Sequence, residues 1–270
     1  MKKALLIILL FLVVQTALSF VLAMIGGVFN VSDLAQFQKM PTYYWCLGAS
    51  LVITDLLLIL LVYYVIAGDC KKPYTSYLIF PRGRDFWLAL PTFLLLMFVI
   101  NGVTEMANVP DILKTTFEGM THNWLCILGV IIIGPISEEI CFRRGILGSL
   151  LLSPKFHRYA LVLSALIFGL IHLNPAQMGG AFVLGLFLGW LYIRTHSLVL
   201  PILFHILNNG LGILLSIVFG SDAKLVDTFP NTMSFYIALG VSIVAVCLLF
   251  RLMQKKMLVS NIVDDVEDKK

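Results

Sequence analysis

Charged side chains are scarce in this sequence. Asp, Glu, Lys and Arg together make up 13% of its 270 residues, where a soluble domain carries about 25%. Hydrophobic residues make up 60%, and the mean hydropathy is +0.97. So little charge excludes a protein whose surface is solvated all round. The net charge of +4 is small and gathers into no basic patch, which excludes nucleic acid as a partner. Cysteine is also sparse. Cys46, Cys70, Cys126, Cys141 and Cys247 form no CxxC and no His/Cys ligand spacing, so they read as small hydrophobic residues. There is no HExxH metal motif.

What is present in abundance is long apolar runs. Eight segments are candidates for membrane helices: 4–28, 43–67, 86–104, 123–152, 158–173, 178–194, 198–219 and 232–253. The runs are continuous rather than alternating, and a spanning backbone must satisfy its own hydrogen bonds, so helices are the spanning element. The predicted fold is all-α and polytopic, with about eight transmembrane helices. The opening MKKALLIILLFLVV has a lysine pair like a signal peptide, but its apolar stretch is too long for one and predicts an uncleaved first span. Residues 105–121 read as an amphipathic surface helix. The tail VDDVEDKK reads as a solvated, disordered end, and the 71–85 loop is the longest basic one.

Lysine and arginine placement sets the orientation. With the N-terminus inside, inner segments carry 14 of these residues and outer segments 3, with Arg143 and Arg144 making up the 19. Both termini are therefore expected in the cytoplasm. Trp45, Trp87 and Trp124 lie near span ends, as interface anchors do. In the sixth span Ala181, Gly185 and Gly189 repeat every four residues, a small-residue face for helix packing.

Against this background the polar residues inside the spans stand out, because each is costly there. The fourth span holds GPISEEICFRRG, with Glu138, Glu139, Arg143 and Arg144. Glu139 and Arg143 are i and i+4 with the acid first, the favourable order for a helical ion pair. Glu138 points about 100° away and has no i+4 cation, which leaves it for another task. The plainer alternative is that both acids pair with both arginines and pin helices together. The fifth span ends with Phe168 and His172 one turn apart, ahead of Pro175. The seventh places His205 and Asn209 on one helix face. Singly, each of these polar groups serves as an interhelical hydrogen bonder. Together they make a hydrolytic set. Glu138 and His172 can activate water as general bases, while His205 and Asn209 can donate to the oxyanion of a tetrahedral intermediate. Zinc is the one cofactor to consider, with Glu138, His172 and His205 as its ligands. Pro135 is expected to kink the fourth span and open room beside it, and the short fifth span is expected to end His172 inside a polar cavity. Asp55, beside Thr54, reads as a helix-bonding residue.

The three motifs together resemble a known family. EEICFR (138–143) matches an EExxxR motif, FGLIH (168–172) matches FxxxH, and HILNN (205–209) matches HxxxN. Their order is that of the CAAX prenyl protease and bacteriocin-processing family, also called CPBP or Abi. The resemblance covers residues 123–218, between an N-terminal helical region (1–122) and a last helix with a polar tail (219–270). It implies motif-bearing helices around a polar intramembrane cavity and an endopeptidase acting on a membrane-associated, prenylated or leader-bearing peptide. It implies Glu138 as the base activating water with His172 assisting, His205 and Asn209 as the oxyanion site, and Glu139, Arg143 and Phe168 in supporting roles. The family has been described both as metal-dependent and as metal-free glutamate proteases. Many of its bacterial members are linked to bacteriocin maturation, self-immunity or peptide signalling, and the lysine-flanked spans and signal-like start suit a bacterial inner membrane.

Two other readings compete. A non-enzymatic immunity protein would bind a peptide in the same cavity, although every motif position here is intact. A transporter would use the buried acids and histidines as a proton relay, but spans one to four have no counterpart of the EExxxR segment in spans five to eight, so no inverted repeat is present. The expected partners are a peptide or lipidated protein substrate and membrane lipids.

Overall fold

The structure is a computed structural model that describes residues 2–28, 34–67, 77, 78 and 80–257. The acidic tail, Cys70 and part of the basic 71–85 loop fall outside the described residues. The described residues are helical wherever they are regular. The principal helices are α1 (Lys2–Val28), α2 (Pro41–Ala67) and α3 (Gly83–Met106). They are followed by α4 (Trp124–Leu151), α5 (His157–Leu170), α6 (Pro175–Thr195), α7 (Val199–Phe219) and α8 (Thr232–Lys256).

Among the described residues six helices are long and apolar enough to cross a membrane: α2, α3, α4, α6, α7 and α8. The expected count of about eight is thus not confirmed by length and composition among the described residues. The 158–173 run becomes α5, shorter than the roughly 20 residues a spanning helix needs. The polar stretch at 105–121 yields only a short helix, Lys114–Met120, with Met120 buried.

The chain divides into two compact units that interleave in sequence. The first comprises Met1–Tyr74, Ile112–Ala160 and His205–Ser221. Its helices approach closely where glycine replaces a side chain. A Cβ at Gly48 of α2 would lie 2.7 Å from the Cys126 backbone nitrogen of α4, and one at Gly145 of α4 would lie 2.8 Å from Ile7 Cδ1 of α1. Phe11 and Phe142 meet edge to face at 5.7 Å across the same α1–α4 contact, a favourable aromatic arrangement.

The second unit comprises Thr75–Asp111, Leu161–Phe204 and Asp222–Lys270. Its core is aromatic. Phe204 stacks on Phe86 at 5.6 Å and lies 4.9 Å from Phe93. Gly185, in the small-residue face read from the sequence, sits on α5, where its Cβ would be 3.2 Å from Ala165 Cα. Gly169 of α5 is closer still to α6, 2.7 Å from the Met178 carbonyl oxygen on the same construction. The fold thus buys helix proximity with absent side chains, as membrane helices do where no hydrophobic drive separates helix from lipid.

Candidate active site

The fourth span is where local sequence most strongly shapes the site. Its helix is not uniform: it passes from α-helix (Trp124–Leu128) to a π-helical turn (Gly129–Ile133), back to α (Gly134–Glu139), and then to a longer π segment (Ile140–Leu147). Such π-helical insertions are uncommon and gather at functional sites. The first has a visible cause. Pro135 has no N–H, and its ring crowds the carbonyl four residues back. The Gly134 N–H donates to the Gly129 carbonyl, five residues back, and the α ladder resumes only after the proline. The expected disturbance at Pro135 thus takes the form of a change in hydrogen-bond register.

From this helix Glu139 and Arg143 form the ion pair anticipated from their spacing. Arg143 Nε donates to Glu139 Oε2 at 2.6 Å and Nη2 donates to Oε1 at 3.0 Å. Both side chains have 0% exposure, and a two-pronged, charge-assisted contact is the geometry in which a buried pair is favourable. Glu139 has a second partner that its spacing did not reveal. His205 of α7 binds the same Oε1 through Nδ1 at 3.0 Å. Since a carboxylate only accepts, His205 donates Nδ1–H and its Nε2 is left to face elsewhere. It faces Glu138: Nε2 is 3.8 Å from Glu138 Oε2. That distance is too long for a direct hydrogen bond and short enough for one water molecule to bond to both.

The two adjacent acids therefore differ in kind. Glu139 is fully buried and engaged on both oxygens. Glu138 keeps 23% side-chain exposure, and its Oε2 is without a hydrogen-bond partner. One turn along α7 from His205, Asn209 donates from Nδ2 to the Val130 carbonyl at 2.8 Å, while Asn208 donates to Asn209 Oδ1 at 2.9 Å. These contacts fix the Asn209 amide from both ends and leave its second Nδ2 hydrogen for another acceptor. The first unit thus brings together Glu138, Glu139, Arg143, His205 and Asn209.

Phe168 and His172 belong to the second unit. His172 Nδ1 bonds the Phe168 carbonyl at 2.8 Å, and the two rings meet edge to face at 5.0 Å. A carbonyl only accepts, so His172 also donates Nδ1–H and presents Nε2 as its basic nitrogen. After His172 the chain turns through Leu173 at φ +50°, and the buried Asn174 donates to Asp111 Oδ1 at 2.8 Å.

Two contributors were not identified from sequence. Asn208 and the Val130 carbonyl orient Asn209. Asp55, read as a helix-bonding residue, is 5% exposed and lies with Oδ2 3.6 Å from where a Cβ would stand on Gly134, one turn before Glu138. Thr54 turns back to its own helix, onto the Ser50 carbonyl at 2.8 Å. The signal for Asn208 was its place beside a motif asparagine.

The donor set does not fit a resident zinc ion. Among the described residues no group of three or more His, Cys, Asp or Glu side chains is placed to hold a metal. In the first unit Glu139 is taken by Arg143 and His205 Nδ1 by Glu139. Glu138 and His205 Nε2 stand 3.8 Å apart, whereas catalytic zinc usually has three protein ligands.

Residues 120–211 match the family described as type II CAAX prenyl endopeptidase Rce1-like. The chain is 36% identical over 78 residues to "Putative membrane peptidase YdiL" of Bacillus subtilis (strain 168), covering 29% of this chain and 32% of that protein. It is 37% identical over 86 residues to the "Membrane-embedded CAAX protease MroQ" of Staphylococcus aureus (strain USA300), covering 30% of this chain and 35% of that protein. The chain thus spans about a third of the length of these curated relatives. No solved structure gives a significant match. The family match falls on the segment that carries the three motifs, and both relatives are named as membrane peptidases or proteases. With its six apolar helices it is an integral membrane protein.

Proposed function

We propose that this protein is an intramembrane endopeptidase whose core is residues 123–218 and whose general base is Glu138. The observation that carries the reading is the inequality of the two acids: Glu139 is bound by Arg143 and His205, while Glu138 faces His205 Nε2 across 3.8 Å with an oxygen to spare. A water held between those two groups loses a proton to the Glu138 carboxylate as its oxygen adds to the scissile carbonyl carbon. The carbonyl oxygen becomes an oxyanion. The second Nδ2 hydrogen of Asn209 and Nε2–H of His205 stabilise it. Donation from Nε2 uses the doubly protonated ring, in which Nδ1–H stays on Glu139. When the C–N bond breaks, Glu138 returns its proton to the leaving amine, and the products are a carboxylic acid and an amine. The family resemblance implies an assisting role for His172. Glu139 and Arg143 hold the constellation.

The available donors favour glutamate chemistry over a metal-activated water. The substrate class is a peptide or lipidated protein at the membrane, as the names of the relatives suggest. The lysine and arginine bias supports cytoplasmic termini in a bacterial inner membrane. The test compares new peptide termini in membranes of cells carrying the parent protein or Glu138→Gln at matched expression. Termini found only with the parent support the peptidase and identify its substrate. Identical profiles, in cells shown to make prenylated or leader-bearing peptides, overturn it.

A further inference from the structure

The Val130 carbonyl that Asn209 grips is itself a product of sequence. In α register its donor would be the N–H of Gly134, but that N–H is given to Gly129. In π register, which the chain follows over Gly129–Ile133, its donor would be residue 135. Residue 135 is proline and has no N–H. The carbonyl is therefore orphaned by the backbone, inside a membrane segment where an unsatisfied carbonyl is costly. Asn209 Nδ2 reaches it at 2.8 Å from the facing helix. That contact is possible because α7 is near at this level: a Cβ on Gly210 would lie 3.7 Å from Ile131 Cγ2.

We infer that Pro135 is a positioning residue for Asn209. By withholding a backbone donor, it creates the acceptor that fixes the Asn209 amide at the oxyanion site. The inference rests on the peptidase reading for its catalytic consequence, but not for the hydrogen-bond exchange itself. Restoring an N–H at 135 gives the Val130 carbonyl a backbone partner, whether the π run extends by one residue or the helix returns to α register. Asn209 is then no longer needed there, and its amide is free to rotate.

The signature is unusual because stability and activity move in opposite directions. Pro135→Ala replaces a helix-disfavouring residue with the most helix-favouring one. Its unfolding midpoint in detergent should equal or exceed that of the parent, while the parent-specific peptide termini fall at least tenfold. A thermal cycle isolates the carbonyl. Asn209→Ala should lower the midpoint by about 2–4 °C with proline at 135, because it strands the Val130 oxygen. In the Pro135→Ala background the same change should cost well under half as much, since interacting residues are not additive. Equal costs in the two backgrounds overturn the inference outright. A coupled thermal cycle with undiminished termini in Pro135→Ala overturns the catalytic role given to Asn209 while leaving the backbone exchange intact. A lower midpoint for Pro135→Ala alone also overturns it, because the proline would then be serving packing.

Discussion

Glu139 Oε1 accepts from both Arg143 Nη2 and His205 Nδ1, each at 3.0 Å, so one buried carboxylate joins two helices whose residues are 66 positions apart. That oxygen decides which histidine nitrogen faces Glu138. It also separates two adjacent glutamates into one engaged on both oxygens and one with an unbonded oxygen.

The separation should be visible in stability. Glu139→Gln leaves Arg143 as a buried charge without its counter-ion, and breaking such a pair costs about 3–5 kcal/mol. The unfolding midpoint in detergent should fall markedly. Glu138→Gln removes no direct hydrogen bond and should leave the midpoint within about 2 °C, since a shift of this size corresponds to under about 1 kcal/mol. Equal losses for the two variants would contradict the division of labour.

Asn209→Asp keeps the side-chain shape and removes both Nδ2 hydrogens. The expected fall in parent-specific termini is about 10²–10³-fold, the scale for losing one oxyanion donor. Quantifying those termini at matched membrane abundance checks it. A fall of under about threefold would move Asn209 from the oxyanion site to helix packing alone.

The loop behind His172 offers a third test. Asn174 sits at the N-cap of α6 yet makes no side-chain cap; its amide is turned to Asp111 instead. Asp111→Asn keeps an acceptor oxygen and should retain activity within about twofold. Asp111→Leu removes it, at about 0.5–1.5 kcal/mol for a typical hydrogen bond, and should lower cleavage several-fold by loosening the turn at Leu173. If the asparagine and leucine variants behave alike, this hydrogen bond does not hold the loop.

Chelation tests the donor count. Glu138 and His205 Nε2 make two donors, and among the described residues no group of three is placed to hold a metal, so treating membranes with 1,10-phenanthroline should leave the parent-specific termini unchanged. Their loss, with recovery on adding zinc, would require a third donor to join those two.

Glycine contacts give a packing prediction. Gly48→Ala puts a Cβ 2.7 Å from the Cys126 nitrogen, and overpacking of this kind costs about 1–3 kcal/mol. Gly240→Ala on α8 meets nothing within 4 Å and should be neutral or slightly stabilising. Comparing the two midpoints in detergent checks the α2–α4 approach.

Much was legible in the chain alone. Composition requires a membrane protein because so few charges cannot solvate a surface. Apolar run lengths place the helices, because a bilayer fixes how long a spanning helix must be. The Glu139–Arg143 pair follows from i, i+4 geometry, a local relation that the helix carries with it. The His205–Glu139 bond could not be read this way. It joins distant segments, and only the packing of α7 on α4 decides which acid the histidine meets. The π turns were hidden for a related reason: Pro135 announces a missing donor, but which carbonyl goes unpaired depends on the register the neighbouring bonds adopt. Sequence determined which polar groups enter the membrane. Tertiary structure decided which of them were consumed by one another and which were left to act.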